Sequence, residues 1–145
     1  MNIKKILVIL LITFVAVISI SSASAVSHTG FKPPQYFINN YDMPDNGISD
    51  SYYFGDYFLD IDPYDYSNEY YFNNPNVVIS KVDGYKEVYT YHDNDYGFVG
   101  ILEVFEKGGT KYIVDIYIDP TTSNMKVEAC ADYLHEFNEK NGISN

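Results

Sequence analysis

Two apolar runs, residues 98–106 and 111–118, flank the tetrapeptide Lys107-Gly-Gly-Thr110 and constrain the fold more than any other feature of the chain. A Gly-Gly pair between two such runs predicts a β-hairpin, because a two-residue turn of this type matches the right-handed twist of paired strands. The predicted register pairs Glu106 with Lys111, Phe105 with Tyr112, Ile101 with Ile116, and Val99 with Ile118. One face of this hairpin is nearly all apolar and therefore has to be covered by another element.

The opposite face of the predicted hairpin mixes charged and apolar side chains, so we expect it to be at most partly solvated. Its members are Leu102, Val104, Glu106, Lys111, Ile113, Asp115, Tyr117 and Asp119. Strand pairing and packing account for both faces, and we therefore interpret the hairpin as scaffold.

After Pro120 the apolar residues recur at spacings of three and four, which is typical of an amphipathic helix. The apolar stripe consists of Val127, Cys130, Leu134 and Phe137. Residues 121–123 supply N-cap side chains, and Gly142 suits the position just after the helix. The sequence therefore predicts a helix over residues 122–141 that covers the apolar face of the hairpin.

A second two-residue turn is predicted at Asp83-Gly84, between strands at residues 77–82 and 85–92. This register places Lys81 opposite Lys86, and such a like-charge pair is unfavourable. A register shifted by one residue is the alternative.

The remaining strand signals are weaker. Alternation over residues 51–62 predicts one further strand, and residues 36–38 and 70–72 predict two short ones. The whole pattern predicts an α+β fold: an antiparallel sheet of about five strands with a C-terminal helix packed on one face. Residues 26–145 form a single domain in this interpretation, with an extended arm at 26–50, strands at 51–119 and the helix at 122–141.

The N-terminus has the three parts of a secretory signal peptide. Met1 to Lys5 is a short basic head, Ile6 to Ile20 is an apolar run, and Ala23-Ser-Ala25 is a small-residue cleavage pattern. Residues 1–25 are therefore predicted to be a signal peptide cleaved after Ala25, which makes the protein secreted or displayed at the cell surface. An uncleaved N-terminal membrane anchor is the alternative, because the stretch of low polarity approaches the roughly 20 residues that span a bilayer.

Charge excludes some classes of partner. Without residues 1–25 the chain has seven Lys, no Arg and 20 Asp and Glu, so its net charge is near −13. Nucleic acid and anionic membrane surfaces are therefore not expected partners, because both require a basic surface. Cys130 is the only Cys, which excludes an internal disulfide, and we interpret it as a small buried residue.

Residues 36–72 combine 13 Tyr and Phe with eight Asp and Glu, and no Lys or Arg lies between Pro33 and Ser80. Tyrosine offers rigid, amphipathic contact area, and such a segment suits recognition of a protein or polysaccharide at the cell surface. The predicted ligand-binding residues are Tyr64, Tyr66, Tyr70 and Tyr71. The alternative is an aromatic face half buried in the sheet with a solvated acidic edge.

Four carboxylates in the same segment are a candidate calcium site, since Ca²⁺ prefers clustered oxygen ligands. They are Asp56, Asp60, Asp62 and Asp65. The loop signature with Gly at its sixth position is missing, and no other cofactor is predicted.

Catalytic signatures are weak. His28, His92 and His135 have no second His or Cys at metal-binding spacing, and no Ser stands in a nucleophile motif. Asp60 and Asp62 project from one face of a strand as an acid/base pair would, but any two strand residues at that spacing do so. We therefore predict that the protein is not an enzyme, with a hydrolase as a further alternative.

Three segments resemble small exported proteins of methanogenic archaea, whose fold is akin to PsbP-like α+β domains. They are Val82-Asp-Gly-Tyr85, the stretch from Phe105 to Val114, and the stretch from Tyr133 to Ile143. The resemblance covers residues 77–143 and implies an extracellular domain without transferable catalytic residues. The overall prediction is a non-enzymatic domain that binds a partner or ligand through its Tyr/Asp-rich surface, and the alternative is a calcium-stabilised structural domain.

Overall fold

The computed structural model describes residues 27–144. The signal peptide predicted at residues 1–25, with its cleavage site, lies outside the described residues. Within the described range no helix combines the length and apolar character needed to cross a membrane.

One antiparallel sheet of seven strands, with a helix on each face, makes up the described part of the chain. The strands are β1 (Ile38–Asn39), β2 (Asp50–Phe54), β3 (Tyr57–Pro63), β4 (Val77–Lys81), β5 (Val88–Asp93), β6 (Val99–Lys107) and β7 (Thr110–Ile118), in the order β1-β2-β3-β7-β6-β5-β4. The helices are α1 (Tyr64–Phe72) and α2 (Ala129–Asn141). The predicted α+β class, with a C-terminal helix packed on the sheet, is confirmed; the predicted strand number of about five is too low.

The central hairpin β6–β7 has the predicted register, including Glu106 opposite Lys111 and Val99 opposite Ile118. Gly108 and Gly109 have φ values of 60° and 81° and form the turn. Positive φ at both positions is the conformation that glycine adopts without steric cost, which explains why this turn is legible in the sequence.

Residues 51–62 form a hairpin instead of the predicted single strand, because Gly55 and Asp56 make a two-residue turn between β2 and β3. This fold-back places Tyr52 opposite Leu59, so Tyr52 and Tyr57 share a face and both are buried. The extra strand and the short β1 account for the difference between five strands and seven.

The β4–β5 connection also differs from the prediction. Lys81 pairs with Tyr89 and not with Lys86, and the Val82 amide donates to the Val88 carbonyl across a wider loop. The wider loop removes the unfavourable Lys–Lys pair.

The predicted short strand at residues 70–72 is wrong, because these residues are the last turn of α1. Pro63 ends β3 and directly precedes the helix, which suits its fixed φ. Tertiary packing determines this helix, since Tyr70, Tyr71 and Phe72 pack against β4 to β7 residues beneath it.

Helix α2 begins at Ala129, seven residues later than predicted. Asp119 accepts hydrogen bonds from the amide and hydroxyl of Thr121, so the predicted N-cap residues form a turn after β7 instead. The end is as predicted, with Gly142 at φ 64°. Cys130 is buried on this helix, and burial raises the pKa of its thiol to about 12.

The predicted extended arm is part of the core. Phe31 contacts Phe105 at 5.2 Å and Phe137 at 6.0 Å between ring centroids. Asp50 fixes the start of the arm by accepting hydrogen bonds from residues 27–29.

The two faces of the sheet differ in what covers them. The α2 face buries Leu59, Ile101, Val114 and Ile116 beneath α2 and the arm. The α1 face buries Leu102, Val104, Ile113, Tyr71 and Tyr91 beneath α1. Helix α1 lies mainly over β3, β4 and β7, and its aromatic side chains also reach Tyr89 and Tyr91 on β5.

Candidate ligand cavity

A cavity of about 410 Å³ lies on the α1 face, beside helix α1. Seven of its lining residues are aromatic: Phe58, Tyr70, Tyr71, Tyr91, Tyr96, Phe98 and Tyr117. Three are acidic, namely Asp60, Asp93 and Asp115, and the others are Asn40 and Met43. Tyr96 and Met43 are exposed and therefore mark the mouth of the cavity.

The cavity floor is the sheet itself, at a row of side chains interrupted by Gly100. Gly100 lies between Tyr117 on β7 and Tyr91 on β5, and cross-strand partners point to the same face. A Cβ at this position would lie 2.3 Å from the Ile116 carbonyl oxygen and 2.8 Å from the Tyr117 Cβ. The strands therefore approach closely only because residue 100 is glycine, and the row lacks one side chain between the lining residues Tyr91 and Tyr117.

The aromatic wall is continuous. Its rings touch in the sequence Phe58–Tyr117–Phe98–Tyr96–Tyr70–Tyr71–Tyr91, with centroid separations from 5.0 to 6.5 Å. These separations are typical of favourable aromatic pairs. The rings of the wall thus pack against one another along its whole length.

Asp115 lies fully buried in the middle of β7. Its Oδ2 accepts hydrogen bonds from the hydroxyls of Tyr71 at 2.8 Å and Tyr91 at 3.0 Å. Its Oδ1 has no hydrogen-bond partner. A buried acceptor without a donor is unfavourable by about 1–3 kcal/mol, so a group that donates a hydrogen bond to this atom would stabilise it.

Asp60 on β3 is the cross-strand partner of Asp115. Its two oxygens accept from the Ser51 hydroxyl at 2.5 Å and the Tyr117 hydroxyl at 2.8 Å. Burial raises the pKa of Asp60 to about 6, and burial followed by the nearby charge of Asp60 raises the pKa of Asp115 well above its usual range. Two adjacent buried carboxyls resist simultaneous ionisation, which is why both pKa values move upward.

Asp93, at the end of β5, is the third carboxyl of the cavity. It accepts a hydrogen bond from the Tyr70 hydroxyl and others from the backbone amides of Asp95 and Tyr96. The turn at residues 93–97 thus uses Asp93 as a structural acceptor, as such turns commonly do. The same bonds hold Tyr96 at the mouth.

The electrostatic character of the cavity is acidic. Among the described residues no Lys, Arg or His lines it, and His92 and His135 are exposed. His28 contacts Asp45 in the arm at 2.8 Å. The cavity can therefore accept cationic or neutral groups, but it offers nothing to neutralise an anion.

The structure divides the four predicted ligand-binding tyrosines. Tyr70 and Tyr71 line the cavity. Tyr64 lies outside it, with the Lys111 ammonium 4.1 Å above its ring, and Tyr66 is an exposed residue of α1.

The four predicted calcium ligands are likewise dispersed. Asp60 lines the cavity, whereas Asp56 is exposed in the β2–β3 turn and Asp65 is exposed in the first turn of α1. Burial raises the pKa of Asp62, and hydrogen bonds with Ser49 and Ser67 oppose this effect. Across residues 27–144, no three acidic, His or Cys side chains converge in a way that could hold a metal ion.

Tyr91, Asp93, Asp115 and Tyr117 were not predicted as site residues. Asp115 and Tyr117 lie in the hairpin, which was interpreted as scaffold, and Tyr91 and Asp93 lie on the neighbouring strand β5. Two signals in the sequence point to them. Asp115 stands inside the apolar run Ile113-Val-Asp-Ile116, and Gly100 interrupts the apolar run of β6. A lone carboxylate and a glycine within buried strands both indicate a special environment.

No family model, curated protein or solved structure matches this chain. The resemblance to exported archaeal proteins therefore stays a prediction.

Proposed function

We propose that the protein is an exported, non-enzymatic domain that binds a small ligand in the aromatic, acidic cavity of the α1 face. The observation that carries the proposal is a cavity of about 410 Å³ with seven aromatic lining residues. Ligand pockets commonly have volumes of roughly 300–1,000 Å³, with apolar walls and a few fixed polar groups. The cavity has both properties.

Hydrogen bonding favours binding over catalysis. Tyr and Ser hydroxyls or backbone amides already occupy both oxygens of Asp60 and of Asp93, and Tyr71 and Tyr91 occupy one oxygen of Asp115. A general acid or base has to reach the proton of a substrate within hydrogen-bond distance. Carboxyls held in this way orient a ligand but are poorly placed for proton transfer.

The proposed location follows from the N-terminal sequence. A basic head, an apolar run and the Ala23-Ser-Ala25 pattern favour export. Six residues of the Tyr/Asp-rich segment line the proposed binding site: Asn40, Met43, Phe58, Asp60, Tyr70 and Tyr71.

A matched pair of tyrosine variants tests the proposal. Tyr96 lines the cavity and is 67% exposed, whereas Tyr66 is 60% exposed and lies outside it. Tyr96→Ala should weaken ligand binding by about tenfold through lost aromatic contact, and Tyr66→Ala should leave it unchanged. Neither variant removes a buried side chain, so both should fold.

The readout is the NMR signals of labelled tyrosines during titration with a set of small anions, neutral compounds and cations. We expect at least one class of compound to shift the signals of Tyr91 and Tyr117 saturably, and Tyr96→Ala to weaken that effect. If no compound shifts them, or if both variants bind equally well, the proposal is wrong.

A further inference from the structure

We propose that the ligand of this cavity is a compact primary alkylammonium, which donates a hydrogen bond to Asp115 Oδ1 and packs its alkyl chain against the aromatic wall. This inference rests on the proposed function, since it names the class of ligand that the same site takes. Three observations carry it, and each concerns a different property of the cavity.

The first observation is charge. Asp60, Asp93 and Asp115 line the cavity, and no basic side chain of the described residues lines it with them. Buried carboxylates are stable when a positive charge or several donors compensate them. Protein donors supply only part of this compensation, so a cationic ligand completes it.

The second observation is the unpartnered oxygen of Asp115. Oδ1 is buried without a hydrogen-bond donor, while Oδ2 of the same carboxyl accepts two. An ammonium N–H supplies the missing donor together with a compensating charge, and hydrogen bonds between ionised groups are about twice as strong as neutral ones. A quaternary ammonium cannot donate, and an alcohol brings no charge.

The third observation is the aromatic wall. Ring faces attract cations, and aromatic surface also accommodates an alkyl chain. The ring centroids of Tyr71 and Tyr91 are 5.3 Å apart, and the hydroxyls of both residues donate to Asp115. The carboxyl group and the aromatic surface are therefore adjacent. A short cation with an apolar alkyl chain suits a carboxyl group that lies next to aromatic surface.

Ionisation provides a second readout. The titratable groups that face Asp115 are Asp60 and Asp62 from β3, Tyr71 from α1, Tyr91 from β5 and Tyr117 from β7 itself. Burial raises the pKa of Asp115, and a cation beside it opposes that shift. Binding of an alkylammonium should therefore release protons, whereas binding of a neutral compound should not.

The test compares four probes that share a six-carbon alkyl chain and differ in the head group: hexylammonium, hexanol, hexanoate and hexyltrimethylammonium. Calorimetry and the signals of labelled Tyr91 and Tyr117 report binding to the purified protein without its predicted signal peptide. We expect hexylammonium to bind at least about tenfold more tightly than hexanol and hexyltrimethylammonium, and hexanoate not to bind. Repeating the titration in buffers of different ionisation enthalpy measures the proton release.

Asp115→Asn keeps the shape of the side chain and removes its charge, and it should weaken hexylammonium binding by about tenfold or more while hexanol is little affected. Asp56→Asn removes the same charge from an exposed turn and is the matched control. If Asp115→Asn does not fold, the order of the four head groups on the unchanged protein decides alone.

The outcomes separate this inference from the proposed function. Equal or tighter binding of hexanol, hexanoate or hexyltrimethylammonium at Tyr91 and Tyr117 overturns the alkylammonium assignment and leaves the cavity a binding site. The same holds if only compounds of another class from the broader set bind there. If neither the four probes nor the broader set shift these tyrosines, both proposals fail.

Discussion

The two faces of the sheet are covered in different ways: the buried hydrophobic cluster has 15 members on the α2 face and six on the α1 face. On the α2 face, Leu134 and Phe137 of the helix pack with aliphatic strand residues. On the α1 face the helix supplies Tyr70 and Tyr71, whose hydroxyls require acceptors. A wall built from tyrosine therefore brings carboxyls into the interior as hydrogen-bond acceptors.

Each face also contains a buried carboxyl that shows this difference. Glu103, on the α2 face, accepts one hydrogen bond from the Asn138 amide at 2.7 Å, and its other oxygen has no partner. Asp115, on the α1 face, accepts two from tyrosines and borders a cavity. The buried Glu103 therefore lowers the stability of the folded protein, whereas the polar groups of the α1 face form a connected site.

The largest effect is expected where packing is densest. Phe137→Ala on α2 removes a fully buried ring and should lower the free energy of unfolding by about 3–5 kcal/mol. Denaturant titration measures this change, and His135→Ala on the exposed side of the same helix is the control. A loss below about 1 kcal/mol would mean that the α2 face is not close-packed.

Glu103→Gln should stabilise the protein in a way that depends on pH. Burial raises the pKa of Glu103 from 4.5 to about 7, so the folded state holds this proton more tightly than the unfolded state. The contribution of Glu103 to the free energy of unfolding should fall as pH rises from 4.5 to about 7 and then level off. The glutamine side chain of the variant does not ionise, so above that pH range the variant should be more stable than the unchanged protein by about 3 kcal/mol.

The control for this change is Glu106→Gln, on the same strand but exposed. Unfolding free energies measured across the pH range should show no comparable gain for it. Identical pH profiles for Glu103→Gln and the unchanged protein would show that the buried carboxyl is not destabilising.

Gly100→Ala tests the floor of the cavity. The added Cβ meets the Ile116 carbonyl oxygen and the Tyr117 Cβ, and such overpacking is unfavourable by about 1–3 kcal/mol. Labelled Tyr91 and Tyr117 should also change their NMR signals. The control is Ile101→Val, because Ile101 follows Gly100 in the sequence and lies on the α2 face. It should be destabilising by about 1 kcal/mol without altering those signals. A reversal of this pattern would contradict the division into two faces.

Tyr71→Phe should have the smallest effect, a loss of about 1 kcal/mol, because it removes one hydrogen bond to Asp115 and keeps the ring. Tyr66→Phe makes the same change at an exposed position of α1 and should be neutral. Thermal or denaturant unfolding compares the pair. Equal effects would indicate that the Tyr–Asp bonds do not contribute to the stability of the α1 face.

The sequence predicted those parts of the fold that local rules determine. The Gly108-Gly109 turn set the register of β6–β7, and the spacing of Cys130, Leu134 and Phe137 identified α2. Helix α1 was missed because Tyr, Asp, Asn and Ser have low helix propensity, so that its conformation depends on contacts made after the sheet has formed.

The candidate site was only partly predictable for a related reason. Tyr70, Tyr71 and Asp60 were identified by composition, but Asp115 and Asp93 reach them through strand pairings distant in sequence. Composition shows which groups are available, whereas the pairing of β3 with β7 determines which of them meet.

The sequence of helix α1 has a dynamic consequence. Its nine residues include one strong helix former, Glu69, and its N-terminus has no side-chain cap. A helix this short does not persist on its own, so α1 should open locally at a lower free energy than the sheet unfolds. Its amides should exchange with solvent faster than those of α2, and a ligand that bridges Tyr70 or Tyr71 to the floor would slow that exchange. The wall of the cavity would then be the part of the molecule whose order depends on occupancy.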